Sequence, residues 1–248
     1  ASLRPESVLV ALQLANNEVG TVQPVGAVAA GCRERGVPLL CDAVQAVGKI
    51  AVDREALGAD YLVLAGHKFH GPVGAAALVV RGDTPFLPWL VGGAQERRRR
   101  ASTTNVAAVV GLGAAAAVAH GELPARAARL AALRDRCEEG LGAIPGVRIH
   151  ARTAPRLPNT CHVAFPGLIG QELMIRLDLA GYAVSTGSAC ASGAVEPSPL
   201  LLAMGIARDE ALASIRISFG LTNRPAEVDA FLPELAAAVA ALRAGTTP

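Results

Sequence analysis

The sequence predicts an α/β fold with a largely parallel sheet in its first half and a smaller α+β domain in its second. Three features carry that reading. Strand-like apolar runs alternate with helical spacing between residues 7 and 80, a long helical stretch follows, and short strand runs then lead into a C-terminal amphipathic helix. Ser7 to Leu14 is an apolar run with β-branched residues that ends in the polar Asn16-Asn17-Glu18-Val19-Gly20, as a buried strand ends in a loop. Val25 to Arg35 has helical spacing and stops at Gly36; Val37 to Cys41 is the next strand, with Asp42 at its C-terminal end. Tyr61 to Ala65 is a third strand, leading into Gly66-His67-Lys68, and Gly74 to Val80 is a fourth, closed by Arg81-Gly82-Asp83.

Asn105 to Gly142 is almost unbroken helical material, rich in Ala, Leu and Arg and interrupted around Gly121 to Pro124. The domain boundary is placed there, giving domains 1–123 and 124–248. Beyond it come strands Val147 to His150 and Thr160 to Phe165, a helix Gln171 to Leu179, and strands Tyr182 to Ser185 and Ser214 to Phe219. A last helix runs from Pro225, a favourable first-turn residue, to about Arg243. No repeat of fixed period is visible, which argues against a solenoid.

Hydrophobic residues at 52% and charged residues at 18% exclude a disordered chain, and 248 residues suffice to bury a sizeable core. The net charge of +2 gives no case for a nucleic-acid surface. The longest apolar stretch, Val106 to Ala119, is shorter than the ~20 residues a bilayer-spanning helix needs, so no membrane span is expected. Five cysteines, odd in number and without a Cys-x-x-Cys pair, argue against a disulfide framework and a zinc knuckle and for a reducing, cytoplasmic setting. No signal-peptide pattern is present, and Ala1 in place of Met suggests a chain that begins inside a longer protein.

Ligands of open α/β sheets bind beyond the carboxyl ends of the strands. Three such ends carry polar residues: Asn16-Asn17, Asp42-Ala43-Val44-Gln45 and Gly66-His67-Lys68. A carboxylate, an amide and a lysine on one crevice suit a ring cofactor whose nitrogen stays protonated, whose phenolic oxygen is hydrogen-bonded and whose aldehyde is held by an amine, which describes pyridoxal phosphate. The plainer alternative makes Asp42 a helix cap and Lys68 a solvated turn residue.

Seven strings follow in order: Leu14-Ala-Asn-Asn-Glu-Val-Gly20, Cys41-Asp-Ala-Val-Gln-Ala46, Ala65-Gly-His-Lys-Phe69, Gly92-Gly-Ala-Gln-Glu-Arg97, Leu157-Pro-Asn-Thr160, Ser185-Thr-Gly-Ser-Ala-Cys190 and Ile215-Arg-Ile-Ser218. Together, across nearly the whole chain, they resemble the NifS/IscS-type cysteine desulfurases, fold type I members of the class V aminotransferase group. Selenocysteine lyases share much of the pattern. The resemblance implies the C-terminal part of the large cofactor-binding domain of that fold, followed by its smaller domain. It implies that Lys68 bonds to the cofactor aldehyde, Asp42 pairs with the pyridine nitrogen, Gln45 bonds the phenolic oxygen, and His67 contacts the phosphate. Asn17 would lie near the phenolic oxygen and the substrate carboxylate.

The same resemblance makes Cys190 the residue that takes sulfur from L-cysteine as a persulfide and passes it to an acceptor or scaffold protein. Its setting, Ser185 to Gly193, is a run of small residues that reads as a loop. Cys32, Cys41, Cys137 and Cys161 fall in predicted helices or strands and read as buried small hydrophobes. Arg216, flanked by Ile215 and Ile217 in a strand, points away from those two side chains; it is either a solvated arginine or, as the resemblance implies, the grip on the substrate carboxylate. Arg97 to Arg100 is by charge a solvated loop. In the family, the position of Thr103 reaches the cofactor phosphate of a partner subunit, with Arg100 supporting it, which implies a homodimer.

There are departures from the pattern. Ala65 stands where the family usually has a phosphate-binding Ser, and Ala94, Ala101, Ser102 and Thr104 differ in the loop that carries Thr103. The family's phosphate loop and its ring-stacking histidine, expected before Ser7, are not in this sequence. The expected function is pyridoxal-phosphate-dependent desulfuration of L-cysteine for iron-sulfur or thiolation pathways. The alternatives are a selenocysteine lyase or a non-catalytic interaction and dimerisation module.

Overall fold

Short apolar runs separated by helices build one sheet in each of the two units into which the chain divides, Ala1–Asn16 with Val22–Leu123, and Asn17–Thr21 with Pro124–Pro248. The structure, a computed structural model, describes residues 3–82, 84–187 and 196–245.

In the first unit the elements are β1 (Val10–Gln13), α1 (Val25–Glu34), β2 (Leu39–Asp42), α2 (Arg54–Leu57), β3 (Tyr61–Ala65) and β4 (Ala76–Val80). The sheet order is β1-β2-β3-β4, with the first three strands parallel and β4 antiparallel to β3. The connection 66–75 is shorter than the dozen or so residues a parallel crossover takes, which explains the reversal at β4. Val25, Ala29 and Cys32, at helical spacing, form the buried stripe of α1. Asp53 caps α2 by accepting from the Glu55 and Ala56 N–H groups, and Gly58 ends it at φ 66°.

A short turn, α3 (Gln95–Arg98), precedes α4 (Val106–Leu141), one 36-residue helix. The expected interruption near Pro124 is absent; Pro124 lies inside the helix, next to the division between the units. A mid-helix proline costs about 3 kcal/mol. Apolar burial on both sides offsets it, by Ala108 and Ala119 before the proline and by Leu130, Leu133, Cys137 and Leu141 after it. The apolar stretch from Val106 is thus longer than the sequence reading allowed: α4 is long and apolar enough, by length and composition alone, to cross a bilayer.

The second unit holds an antiparallel sheet of β5 (Arg148–Ile149), β6 (Thr160–Ala164) and β7 (Ser214–Ser218), in that order, with α5 (Gly170–Leu179), α6 (Pro199–Ala203), α7 (Arg208–Leu212) and α8 (Pro225–Arg243). Alternation sends Cys161, Val163, Ile215 and Ile217 to one face, where they join the core formed with α4, α5 and α8. Thr160, His162, Ser214 and Arg216 are left to the other face. Two expectations change here. Tyr182 to Ser185 is not a strand: Tyr182 and Val184 pack against the core, and only Ser185 bridges to Arg216. Residues 17–21 pack with the second unit instead of with 1–123, because Leu157 N–H donates to Gly20 C=O, Thr21 bridges to Arg156, and Val19 packs with Leu201 and Ala211.

Close packing at one glycine gives a test. A Cβ on Gly170 would stand 2.5 Å from Ser214 O and 3.0 Å from Leu212 O, both backbone atoms, whereas a Cβ on Gly31 in α1 would meet nothing within 4 Å. Gly170→Ala should therefore destabilise by ~1–3 kcal/mol despite its better helix propensity. Gly31→Ala should stabilise by ~0.5–1 kcal/mol, both read as shifts in denaturation midpoint.

Candidate active site

Parallel pairing sets Asp42, the last residue of β2, opposite Val63 of β3, and β3 ends two residues later at Ala65. There the chain turns into a 3₁₀ segment, Gly66–Phe69, anchored by the buried Phe69 and closed by His70 at φ 70°. Gly66 leaves little room for a side chain: a Cβ would stand 3.1 Å from Ala75 O and 3.0 Å from Leu112 Cδ1. His67 and Lys68 emerge exposed from this turn, at the same end of the sheet as Asp42. Asp42 Oδ1 accepts from the Val44 N–H at 2.9 Å. The capping role of the plainer reading is thus real for one oxygen, while Oδ2 has no hydrogen bond among the described residues. Gln45 is half-buried in the following turn. Carboxylate, amide, imidazole and lysine at one sheet end form a donor set that fits pyridoxal phosphate. Ala65 supplies no hydroxyl to it.

Thr103 is exposed, downstream of a turn in which Glu96, Arg97 and Arg98 all have positive φ. Arg100 Nη1 donates to Ala101 C=O at 2.9 Å within this loop.

The second unit carries Asn17 and Arg216. Arg216 Nη1 donates to Asn17 C=O at 2.8 Å, and Arg216 exchanges backbone hydrogen bonds with Ser185, the first residue of the string that ends in Cys190. Burial lowers the Arg216 pKa, opposed by the Glu18 carboxylate. Cys190 itself lies outside the described residues. Cys32, Cys41, Cys137 and Cys161 are buried, as expected. Burial and nearby acidic groups raise the Cys41 thiol to about 11 and the Cys137 thiol to about 12, so both remain protonated and inert.

Two charged residues near these groups escaped the sequence reading. Glu18 is buried inside a string already singled out, and its Oε2 lies 3.6 Å from where a Gly187 Cβ would stand. Lys49 Nζ donates to Gln45 C=O at 2.8 Å. Its spacing of four from Gln45 was the only signal available. Burial, with the Lys68 ammonium adding to it, lowers the Lys49 pKa to about 8. Between that value and the ordinary lysine range the unfolded chain holds a proton that the folded chain has lost, so stability rises with pH across this window. Lys49→Met should remove about 2–3 kcal/mol of that rise between about pH 8 and about pH 10, measured as the difference between wild-type and variant unfolding curves.

The family model for aminotransferase class-V matches residues 1–231. A cysteine desulfurase of Gluconacetobacter diazotrophicus is 42% identical over 243 residues, covering 98% of this chain and 61% of the relative. An IscS-like cysteine desulfurase of Mycobacterium tuberculosis is 44% identical over 237 residues, covering 95% and 60%. The chain thus spans about three-fifths of the length of these curated relatives. Among solved structures, a NifS-like protein superposes with a TM-score of 0.88 at 36% identity, covering 96% of this chain and 63% of that one. The protein SspA in complex with cysteine gives 0.74 at 30%, covering 88% and 60%. The observed α/β architecture is that of the NifS-like structures, and the relatives are IscS- and NifS-type desulfurases. With a family model matched over nearly all of its length, this chain belongs to the class-V aminotransferases.

Proposed function

We propose that this chain is part of a pyridoxal-phosphate-dependent cysteine desulfurase that converts L-cysteine to L-alanine and loads the sulfur onto Cys190. The observation that carries the reading is the placement of Asp42 and Lys68 at the C-terminal ends of adjacent parallel strands. Bound pyridoxal phosphate supplies an electron sink for the substrate α-carbon. Asp42 would keep the pyridine nitrogen protonated, Gln45 would bond the phenolic oxygen with Asn17 near that oxygen and the substrate carboxylate, and His67 would contact the phosphate, which the partner's Thr103 would also reach. Lys68 would supply the amine that anchors the aldehyde. Arg216 holds the substrate carboxylate through its planar fork.

In the sulfur step the substrate C–S bond breaks and a bond forms between that sulfur and the Cys190 sulfur. The electron pair stays with the substrate carbon, which takes up a proton and leaves as alanine. The persulfide is then handed to an acceptor or scaffold protein of iron-sulfur or thiolation chemistry in the cytoplasm. A homodimer, in which Thr103 serves the partner's cofactor, follows from the resemblance of the loop that carries Thr103 to the family's loop.

The test is turnover of L-cysteine by the natural-length protein with pyridoxal phosphate and a thiol reductant. Sulfide and alanine should appear in equal amounts, and Cys190 should gain one sulfur atom in the mass spectrum. Lys68→Ala should abolish both turnover and the visible absorbance of the bound cofactor. A wild-type protein that releases no alanine from L-cysteine overturns the reading, and much faster turnover of selenocysteine would redirect it. Arg216→Lys, which loses the two-pronged grip but keeps the charge, should raise KM for L-cysteine about tenfold or more with a smaller change in kcat.

A further inference from the structure

The polar face of the second unit's sheet buries a chain of titratable groups that the proposed reaction does not use. His150 Nε2 lies 3.0 Å from Glu210 Oε1, and its Nδ1 lies 2.9 Å from Nδ1 of His162. The two rings stack with centroids 5.1 Å apart. His162 is fully buried, at 0% exposure, and its Nε2 has no hydrogen-bond partner among the described residues.

Proton positions follow from the carboxylate. Burial raises the Glu210 carboxyl, but hydrogen bonds from His150 and Arg148 outweigh it and leave the pKa below the usual range. Glu210 is therefore ionised at neutral pH and can only accept, so His150 Nε2 donates. With His150 neutral, its Nδ1 is bare and accepts, and the hydrogen between the rings belongs to His162 Nδ1. That leaves His162 Nε2 as a bare lone pair. Burial, with His150 and Arg216 nearby, lowers the His162 pKa to about 3, so the ring stays neutral.

Register places this ring beside Arg216. His162 and Arg216 are directly opposite in the β6–β7 ladder. Arg216 turns its backbone N–H and C=O to Ser185, and His162 C=O accepts from His150 N–H on the β5 side. The two residues thus form a non-hydrogen-bonded pair, the kind in which opposed Cα atoms approach to about 4.5 Å and side chains lie closest. The other charge set against Arg216 is Glu18.

We propose that His162 is a positioning residue for Arg216: the Glu210–His150 chain holds its ring in the Nδ1–H form, so that the bare Nε2, without hydrogen-bonding the guanidinium, acts on it by charge and favours the orientation that receives a substrate carboxylate. The opposite tautomer would place an N–H dipole, in place of a lone pair, in the field of the guanidinium. The substrate half of this inference rests on the desulfurase reading of Arg216; the tautomer and its effect on Arg216 do not.

The test uses the natural-length protein labelled with ¹⁵N at histidine and arginine. Wild type should show His162 protonated at Nδ1, the reverse of the form that neutral histidine prefers in water, and slow rotation of the Arg216 guanidinium. Glu210→Gln, whose amide can either donate or accept, releases the lock: the tautomers should mix and the Arg216 rotation should quicken. KM for L-cysteine should then rise about fivefold, with kcat within about twofold of wild type. His162→Asn, whose amide oxygen can replace the lone pair, should keep Arg216 slow and KM near wild type, while His162→Leu should not. An Nε2–H tautomer in wild type overturns the proposal. So does a Glu210→Gln variant whose tautomer changes while Arg216 rotation does not. If L-cysteine is not a substrate, the desulfurase reading falls, and the two spectroscopic arms still decide whether His162 positions Arg216.

Discussion

Parallel pairing of β2 with β3 is the constraint on which the candidate chemistry depends. Because both strands run the same way, their C-terminal ends share one edge of the sheet, and the polar residues that terminate them, Asp42 on one and His67 and Lys68 just past the other, reach the same edge. The register is held by Leu39 and Cys41, fully buried on β2, and by Leu62 on β3. A slip of one residue would turn every side chain of a strand to the opposite face and carry Asp42 away from this edge. Burial of an aliphatic side chain stabilises by about 1.5–3 kcal/mol, so a few such residues suffice to exclude the slipped register.

The second unit reaches a comparable result by antiparallel pairing. Here the alternation of hydrogen-bonded and non-hydrogen-bonded pairs matters more than strand direction. Arg216 spends its backbone groups on Ser185, which ties the stem of the small-residue string to β7 and leaves the Arg216 side chain close to His162 across the ladder. The same strand buries Ile215 and Ile217 in the core, so the guanidinium stands on a backbone that is fixed from the other face.

Much of this was legible in the sequence, for physical reasons. Ile215-Arg216-Ile217 has period-two alternation, which assigns the two faces of β7 without reference to any other residue. Strand-end positions for Asp42 and Lys68 follow from apolar runs that stop at polar residues, although their roles came from resemblance to a family and not from spacing. What was hidden depends on contacts between distant segments. Residues 17–21 follow β1 directly, yet they are held by Leu157, Arg156 and Thr160, far along the chain. Proline inside α4 reads locally as a break, and only burial on both sides of it keeps the helix whole. His150, His162 and Glu210 fit no motif at all, since the β-ladder and α7 alone bring them together.

The energetics of His162 explain why such a group stands out. A buried polar atom without a partner costs about 1–3 kcal/mol. Valine or isoleucine at that strand position would avoid the penalty and suit β6 equally well. A histidine there is destabilising unless its lone pair meets positive charge, and the nearest fixed positive charge across the ladder is the guanidinium of Arg216. The electrostatics act through space: the cation helps suppress protonation of the ring, and the unprotonated ring adds no charge beside the cation. A carboxylate in place of His162 would neutralise Arg216 and compete with an anionic substrate, whereas a neutral acceptor leaves the full positive charge available for binding.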